Sequence, residues 1–219
     1  MNVSHEHKAI WWTKPHMGER IVASCFYSHY FFNYSEKKGI NWTAKDNISF
    51  VCSIPDEIKE YSLILSVRNP YFQIVNKFLE ISTTNWKLKN SKIEDFHAKL
   101  NFWVHDIFST NQEILLSTDN LIQNILPYKF KGKTPDFILR FENLEEDLKS
   151  LPFIGENVFY FNQNFLTDNS KFEKDSLTFE NARLIYKIHK KTFDNFGYDP
   201  FSFTTTELTH KQKVDFIHR

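Results

Sequence analysis

Arg68 stands at the end of the apolar run Leu63-Ile64-Leu65-Ser66-Val67, and Asn69-Pro70 follows it at once. An arginine at the carboxyl end of a buried strand, facing the start of a helix, is suited to hold an anion. The guanidinium offers a fork of donors, and the free N–H groups of a helix start add to it. Lys14 lies just past a second apolar stretch, Ala9 to Thr13. If those two strands are neighbours, both cations face one crevice, which suits a ligand with two separated anionic groups. His97 and His105 are eight residues apart with no close third ligand, so no metal site is expected. His189 falls in an apolar stripe and reads as a packing residue.

The elements that must position these groups follow from periodicity. Ala9 to Thr13 reads as a buried strand and Lys14 to Glu19 as a turn, with Pro15 and Gly18. Arg20 to Phe32 reads as a helix, through Ile21, Cys25, Tyr27 or Ser28, and Phe32. Tyr34 to Asp46 reads as a loop, Ile48 to Cys52 as a short strand and Pro55 to Glu60 as a turn or short helix. Tyr61 to Val67 reads as a strand. Asn69 then occupies an N-cap position with Pro70 at the first helical position. Ile74, Val75, Phe78 and Leu79 give that helix one apolar face. Phe96, Leu100, Trp103, Val104 and Ile107 indicate a further helix, and Ile114 to Leu126 another. Phe137 to Phe141 reads as a strand, with Asn143 and Glu146 spaced as a capping box after it. Thr178 to Phe196 carries the clearest helical stripe (Phe179, Ala182, Tyr186, His189, Phe193, Phe196). Gly197 ends it and Pro200 prevents its resumption.

Strands alternating with helices imply an α/β chain: a mainly parallel sheet with helices on both faces, a three-layer α-β-α arrangement. Ligands of such sheets gather beyond the carboxyl ends of the strands. The 219 residues fit a single domain, 1–219, with a helical insertion over roughly 83–135. The composition is 41% hydrophobic and 25% charged, enough to bury a core. With 27 basic and 27 acidic residues, a broad nucleic-acid surface is not expected. No apolar run is long enough to span a bilayer, and the polar start lacks a signal-peptide core. Cys25 and Cys52 read as free core thiols. The expectation is a cytoplasmic protein without membrane or nucleic-acid partners.

Four segments, taken together and in order, resemble the sulfotransferases that use 3′-phosphoadenosine 5′-phosphosulfate (PAPS), particularly the carbohydrate branch. They are Lys14-Pro15-His16-Met17-Gly18-Glu19-Arg20, Val67-Arg68-Asn69-Pro70-Tyr71, Arg140-Phe141-Glu142-Asn143-Leu144 running on to Asp147-Leu148, and Phe196-Gly197-Tyr198. The resemblance covers about Ala9 to Pro200. It implies a P-loop-like sulfotransferase fold and PAPS as sulfonate donor, without a metal. The acceptor would be a hydroxyl of a carbohydrate or another small polar molecule.

The resemblance also implies roles for residues. The loop from Lys14 to Arg20 wraps the 5′-phosphosulfate, and Lys14 stabilises charge on the departing bridging oxygen. Family hydroxyl positions fall on Gly18 and Glu19, so Arg20 and helix-start N–H groups would compensate. Arg68 holds the 3′-phosphate, with Asn76 at the family's serine position and Gln73 where an arginine is often found. Lys171 and Lys174 fall in a loop comparable to one that contacts the nucleotide, or form a solvated charged loop. The general base is left among His16, His29 and Glu36. Glu142 and Asp147 read as structural. An inactive relative that binds a nucleotide or a partner is the alternative. A nucleotide kinase is a third, poorer reading, since Gly-x-x-x-x-Gly-Lys-Ser/Thr is missing.

Overall fold

The computed structural model describes residues 2–13, 22–23, 26, 32–33, 56–84, 93–109, 134–154 and 174–218. Along the chain the elements are β1 (Asn2–Ser4), β2 (Ala9–Trp12), β3 (Phe32–Asn33), β4 (Ser62–Val67), α1 (Pro70–Thr84), α2 (Ile93–Ser109), β5 (Phe137–Arg140), α3 (Leu144–Lys149), α4 (Phe179–Phe196) and α5 (His210–His218). Single 3-10 turns occupy Asp56–Ile58 and Phe141–Asn143. The expected strand Ile48–Cys52 and helix Ile114–Leu126 lie outside the described residues.

The strands form one sheet in the order β3-β1-β2-β4-β5. β2 pairs with β4 and β4 with β5 in parallel, whereas β1 is antiparallel to both its neighbours. Four of the five described strands therefore point the same way. β4 is central, and Leu63 to Val67 are buried on both faces, as a continuous apolar run demands. Inside the sheet the Trp11 indole donates to Ser66 Oγ at 2.8 Å, which satisfies two polar groups that would otherwise be buried at a cost. Asp136 extends the β4–β5 ladder: its N–H donates to Leu63 O, and its carboxylate accepts the Leu63 N–H, both at 2.8 Å.

Two details depart from the periodicity. β1 arises from the polar opening segment, where Val3 is the one large apolar side chain and is fully buried. Its backbone pairs on both edges, and that pairing makes a strand without an apolar pattern of its own. The reading of one helix through Phe32 is corrected, since Phe32 belongs to β3. Val22, Ala23 and Phe26 are helical, and Val22 and Phe26, one turn apart, are the buried pair.

The chain divides into two compact units, Met1–Arg68 with Tyr128–Asn162 and Asn69–Pro127 with Gln163–Arg219. In the first, one sheet face buries Trp11, Ile64 and Leu139 against Val22, Phe26, Leu144 and Leu148. In the second, α4 packs against α1 and α2 around Tyr71, Ile74, Val104, Ile185 and Phe193. Within 83–135 the described helix is α2, and 110–133 lie outside the described residues.

α4 has both its ends specified locally. Thr178 Oγ1 accepts the Asn181 N–H at the start. Gly197 takes φ 70° at the end, a left-handed backbone that glycine enters without Cβ strain, and the Tyr198 N–H closes on Phe193 O at 3.1 Å.

Candidate functional site

Residue Val67 pairs with Arg140 across the parallel β4–β5 ladder, so the residues after each come level. The Arg68 guanidinium lies over the Phe141 ring, 4.1 Å from its centroid. Arg68 is 7% exposed. Beneath this stack, Asp147 grips the end of β5. Its Oδ2 accepts the Arg140 backbone N–H at 2.7 Å and Nε at 3.0 Å, and its Oδ1 accepts Nη2 at 2.7 Å. Burial of Asp147 by itself raises the carboxyl pKa. The Arg140 hydrogen bonds, the Asn143 amide and the Arg140 charge outweigh it, and the pKa ends below its ordinary value. The structural role expected of Asp147 is thereby given a partner. The expected capping box is not formed: Asn143 sits at the N-cap, but its amide donates to Asp147 Oδ1 at 3.1 Å. The ionised carboxylate holds the Asn143 amide through its N–H₂ group, and Asn143 Oδ1 makes no cap to a helix-start N–H.

After Arg68 along the chain, the helix start forms as its sequence requires. Asn69 Oδ1 accepts the Tyr71 N–H at 3.0 Å, and Asn69 O accepts the Gln73 N–H at 2.9 Å. Asn69 Nδ2 donates to Ser202 Oγ at 2.7 Å, and Ser202 Oγ donates to Asp199 O. The Tyr71 hydroxyl donates to Pro200 O at 2.7 Å. Burial, with the Tyr186 and Asp199 charges, pushes its pKa up, so it remains a donor. The segment after Gly197 is thus fastened to the start of α1.

This capping limits the helix start as an anion site. Pro70 has no N–H, Tyr71 is capped, and Gln73 begins the helical ladder.

Asn76 is buried, and its Nδ2 donates to Phe72 O at 2.9 Å, one turn back along its own helix. α1 was expected to bury one face, yet every residue from Pro70 to Phe78 is buried, including Gln73 and Lys77. Periodicity measures apolar side chains and misses polar residues that become enclosed. Lys174 is exposed. Beside it Asp175, at φ 61°, accepts from the Thr204 hydroxyl at 2.6 Å, the Thr205 N–H at 2.9 Å and the Thr205 hydroxyl at 2.5 Å. Those bonds, the Thr204 hydroxyl foremost, lower the Asp175 pKa.

Lys14, Pro15, His16, Met17, Gly18, Glu19, Arg20, His29, Glu36 and Lys171 lie outside the described residues. The adjacency on which a two-cation crevice depends is met by the strands themselves. β2 and β4 are parallel neighbours with Trp12 opposite Leu65, and both run toward the same sheet edge. Among the described residues no group of three or more His, Cys, Asp or Glu could hold a metal ion. No described helix is long and apolar enough to cross a membrane.

Sequence reasoning missed the Phe141 stack, because a ring three score and more residues from its arginine leaves no local pattern. It also missed Asn101, which links α2 to the start of α4. Its Nδ2 donates to His97 O and Ser176 O, and its Oδ1 accepts the Thr178 N–H and Asn181 Nδ2. Comparison with protein-family models, with curated proteins and with solved structures returned no match to this chain.

Proposed function

We propose that this chain is a PAPS-dependent sulfotransferase of three-layer, P-loop-like fold, acting inside the cell on a hydroxyl of a carbohydrate or another small polar acceptor. One observation carries the reading. Segments that resemble the family in sequence are also joined in space: Arg68 lies on Phe141, and Tyr71 binds the chain just after Phe196-Gly197-Tyr198. Nothing in local sequence requires these pairings.

In this reading Arg68 grips the 3′-phosphate. Asn76 contributes less, because its amide nitrogen already donates to Phe72 O. Lys14 and the loop to Arg20 hold the 5′-phosphosulfate, which supplies the transferable sulfonate. Lys14 would offset the charge that grows on the bridging oxygen as its bond to sulfur breaks and the acceptor oxygen bonds to sulfur, leaving 3′-phosphoadenosine 5′-phosphate. His16, His29 or Glu36 takes the acceptor proton, and Lys171 and Lys174 flank the nucleotide. Gly18 and Glu19, where the family carries hydroxyls, favour the second reading, a relative that binds the nucleotide without transferring sulfonate.

Calorimetry with 3′-phosphoadenosine 5′-phosphate, alongside sulfonate transfer from PAPS to a sugar panel, separates the two. The active reading expects binding and transfer. Arg68→Ala should weaken binding by about 1.5–3 kcal/mol, the worth of a charge-assisted hydrogen bond. Lys14→Ala should lower turnover with modest loss of affinity. Binding without transfer selects the second reading, and no binding by the unaltered protein removes both.

A further inference from the structure

We infer that α5 is a latch, and that its docking is coupled to the start of α1 through Phe203 and Tyr71. α5 has nine residues, too few for a helix to stand alone in water. Its start is closed by a capping box. Gln212 Oε1 accepts the Thr209 N–H and hydroxyl, each at 2.9 Å, and Thr209 Oγ1 accepts the Gln212 N–H at 3.3 Å. Phe216 is the buried side chain of α5, whereas Val214 and Ile217 are 42% and 38% exposed. The Phe216 ring stacks on Phe203 at 5.5 Å with 10° between the planes. It also meets Phe179 at 5.2 Å and Tyr186 and Phe201 at 5.5 Å. Burial of one ring therefore supplies the apolar docking of α5, while α4 buries side chains along its whole length. An element with so little buried area opens locally at less cost than the core helices.

The segment on which α5 docks is the one that holds the start of α1. Ser202 Oγ accepts from Asn69 Nδ2, and Pro200 O accepts from the Tyr71 hydroxyl, both at 2.7 Å. Phe203 meets the Tyr71 ring edge to face, 5.6 Å between centroids, so it touches both Tyr71 and Phe216. With α5 docked, Phe216 covers Phe201 and Phe203, and the residues from Pro200 to Phe203 are held against α1. With α5 displaced, those two rings lose their cover. The segment then gains freedom that loosens its bonds to Asn69 and Tyr71. These residues form the helix start, where Asn69 Oδ1 accepts the Tyr71 N–H and Asn69 O the Gln73 N–H. Packed rings joined to an element with two states are a physical route by which one place biases another. The order of control runs from α5 to Phe203, to Tyr71, to the start of α1, and it holds with or without a bound nucleotide.

The test is native-state hydrogen exchange, read amide by amide, on the full chain and on Phe216→Ala, Phe216→Leu and Val214→Ala. In the unaltered protein the α5 amides should exchange at least about tenfold faster than those of Ile185 and Tyr186 in α4. Phe216→Ala should speed α5 by about tenfold more, and the Tyr71 and Gln73 amides by about threefold or more. The Ile64 and Leu65 amides of β4 should not change. Phe216→Leu refills part of the space and should give the same pattern at smaller size, which keeps the test available if Phe216→Ala does not fold. Val214→Ala alters an exposed position and should leave Tyr71 and Gln73 as they were. Equal exchange of α5 and α4 in the unaltered protein would overturn the latch. Faster α5 exchange in both Phe216 variants with Tyr71 and Gln73 unmoved would overturn the coupling. Acceleration of β4 by the same factor would mark a loss of global stability and overturn both.

Discussion

At the scale of single residues, charge pairing and capping divide the work around Arg68. Arg140 and Asp147 form a bidentate pair in which the carboxylate is buried and the arginine side chain is 42% exposed. The native Asp147 pKa is lowered, so its ionised form contributes stability in full above the ordinary value of 3.8. That contribution is lost as pH falls through the native value. Asp147→Asn should therefore destabilise the protein by about 1–3 kcal/mol at pH 7. The gap should narrow steadily below about pH 4. Urea unfolding of both proteins from pH 7 to pH 3 measures it, and a gap independent of pH would mean that the charge contributes nothing.

At the scale of elements, α1, α2 and α4 share a core of interleaved aromatic and aliphatic side chains. Tyr71 meets the Phe193 ring at 4.9 Å, and Phe78 meets Trp103 at 5.3 Å. Apolar contact alone allows helices to slide along one another, whereas a saturated amide does not. Both hydrogens and both lone pairs of the Asn101 amide are engaged, which sets the level of α2 against the start of α4. Asn101→Ala should lower unfolding stability by about 1–3 kcal/mol. It should also speed hydrogen exchange at the Thr178 and Asn181 amides. Unchanged exchange at those two positions would show that Asn101 is not what anchors the helix start.

At the scale of the whole molecule, formal charge is balanced at 27 basic and 27 acidic residues. Net charge supplies no broad field for a polyanion, so the proposed nucleotide binding rests on local groups such as Arg68. A ligand that binds the folded chain alone stabilises it by about 2.7 kcal/mol at a hundred times its Kd. Adding 3′-phosphoadenosine 5′-phosphate at that excess should raise Tm in the unaltered protein, and by about half as much or less in Arg68→Ala. The rise should shrink as salt increases from about 0.05 M to 0.5 M, because exposed charges are screened over shorter distances. An equal rise in both proteins would place the ligand away from Arg68.

The sequence by itself determined the pieces whose causes are local. Apolar alternation and continuity placed β2, β4 and β5; Asn69-Pro70 opened α1; Thr178 and Gly197 bounded α4. Each depends on neighbours within a few residues, which is the range over which backbone sterics and capping act. The sequence also placed Arg68 directly after β4. Tertiary structure alone decided the rest. β1 exists because two partners pair its backbone, Pro70 to Phe78 of α1 are all buried despite Gln73, Asn76 and Lys77, and the Asn143 amide goes to a carboxylate. Arg68 meets Phe141 only because β4 and β5 share a register. Such contacts join residues distant along the chain, and their energies depend on desolvation, which no local pattern encodes.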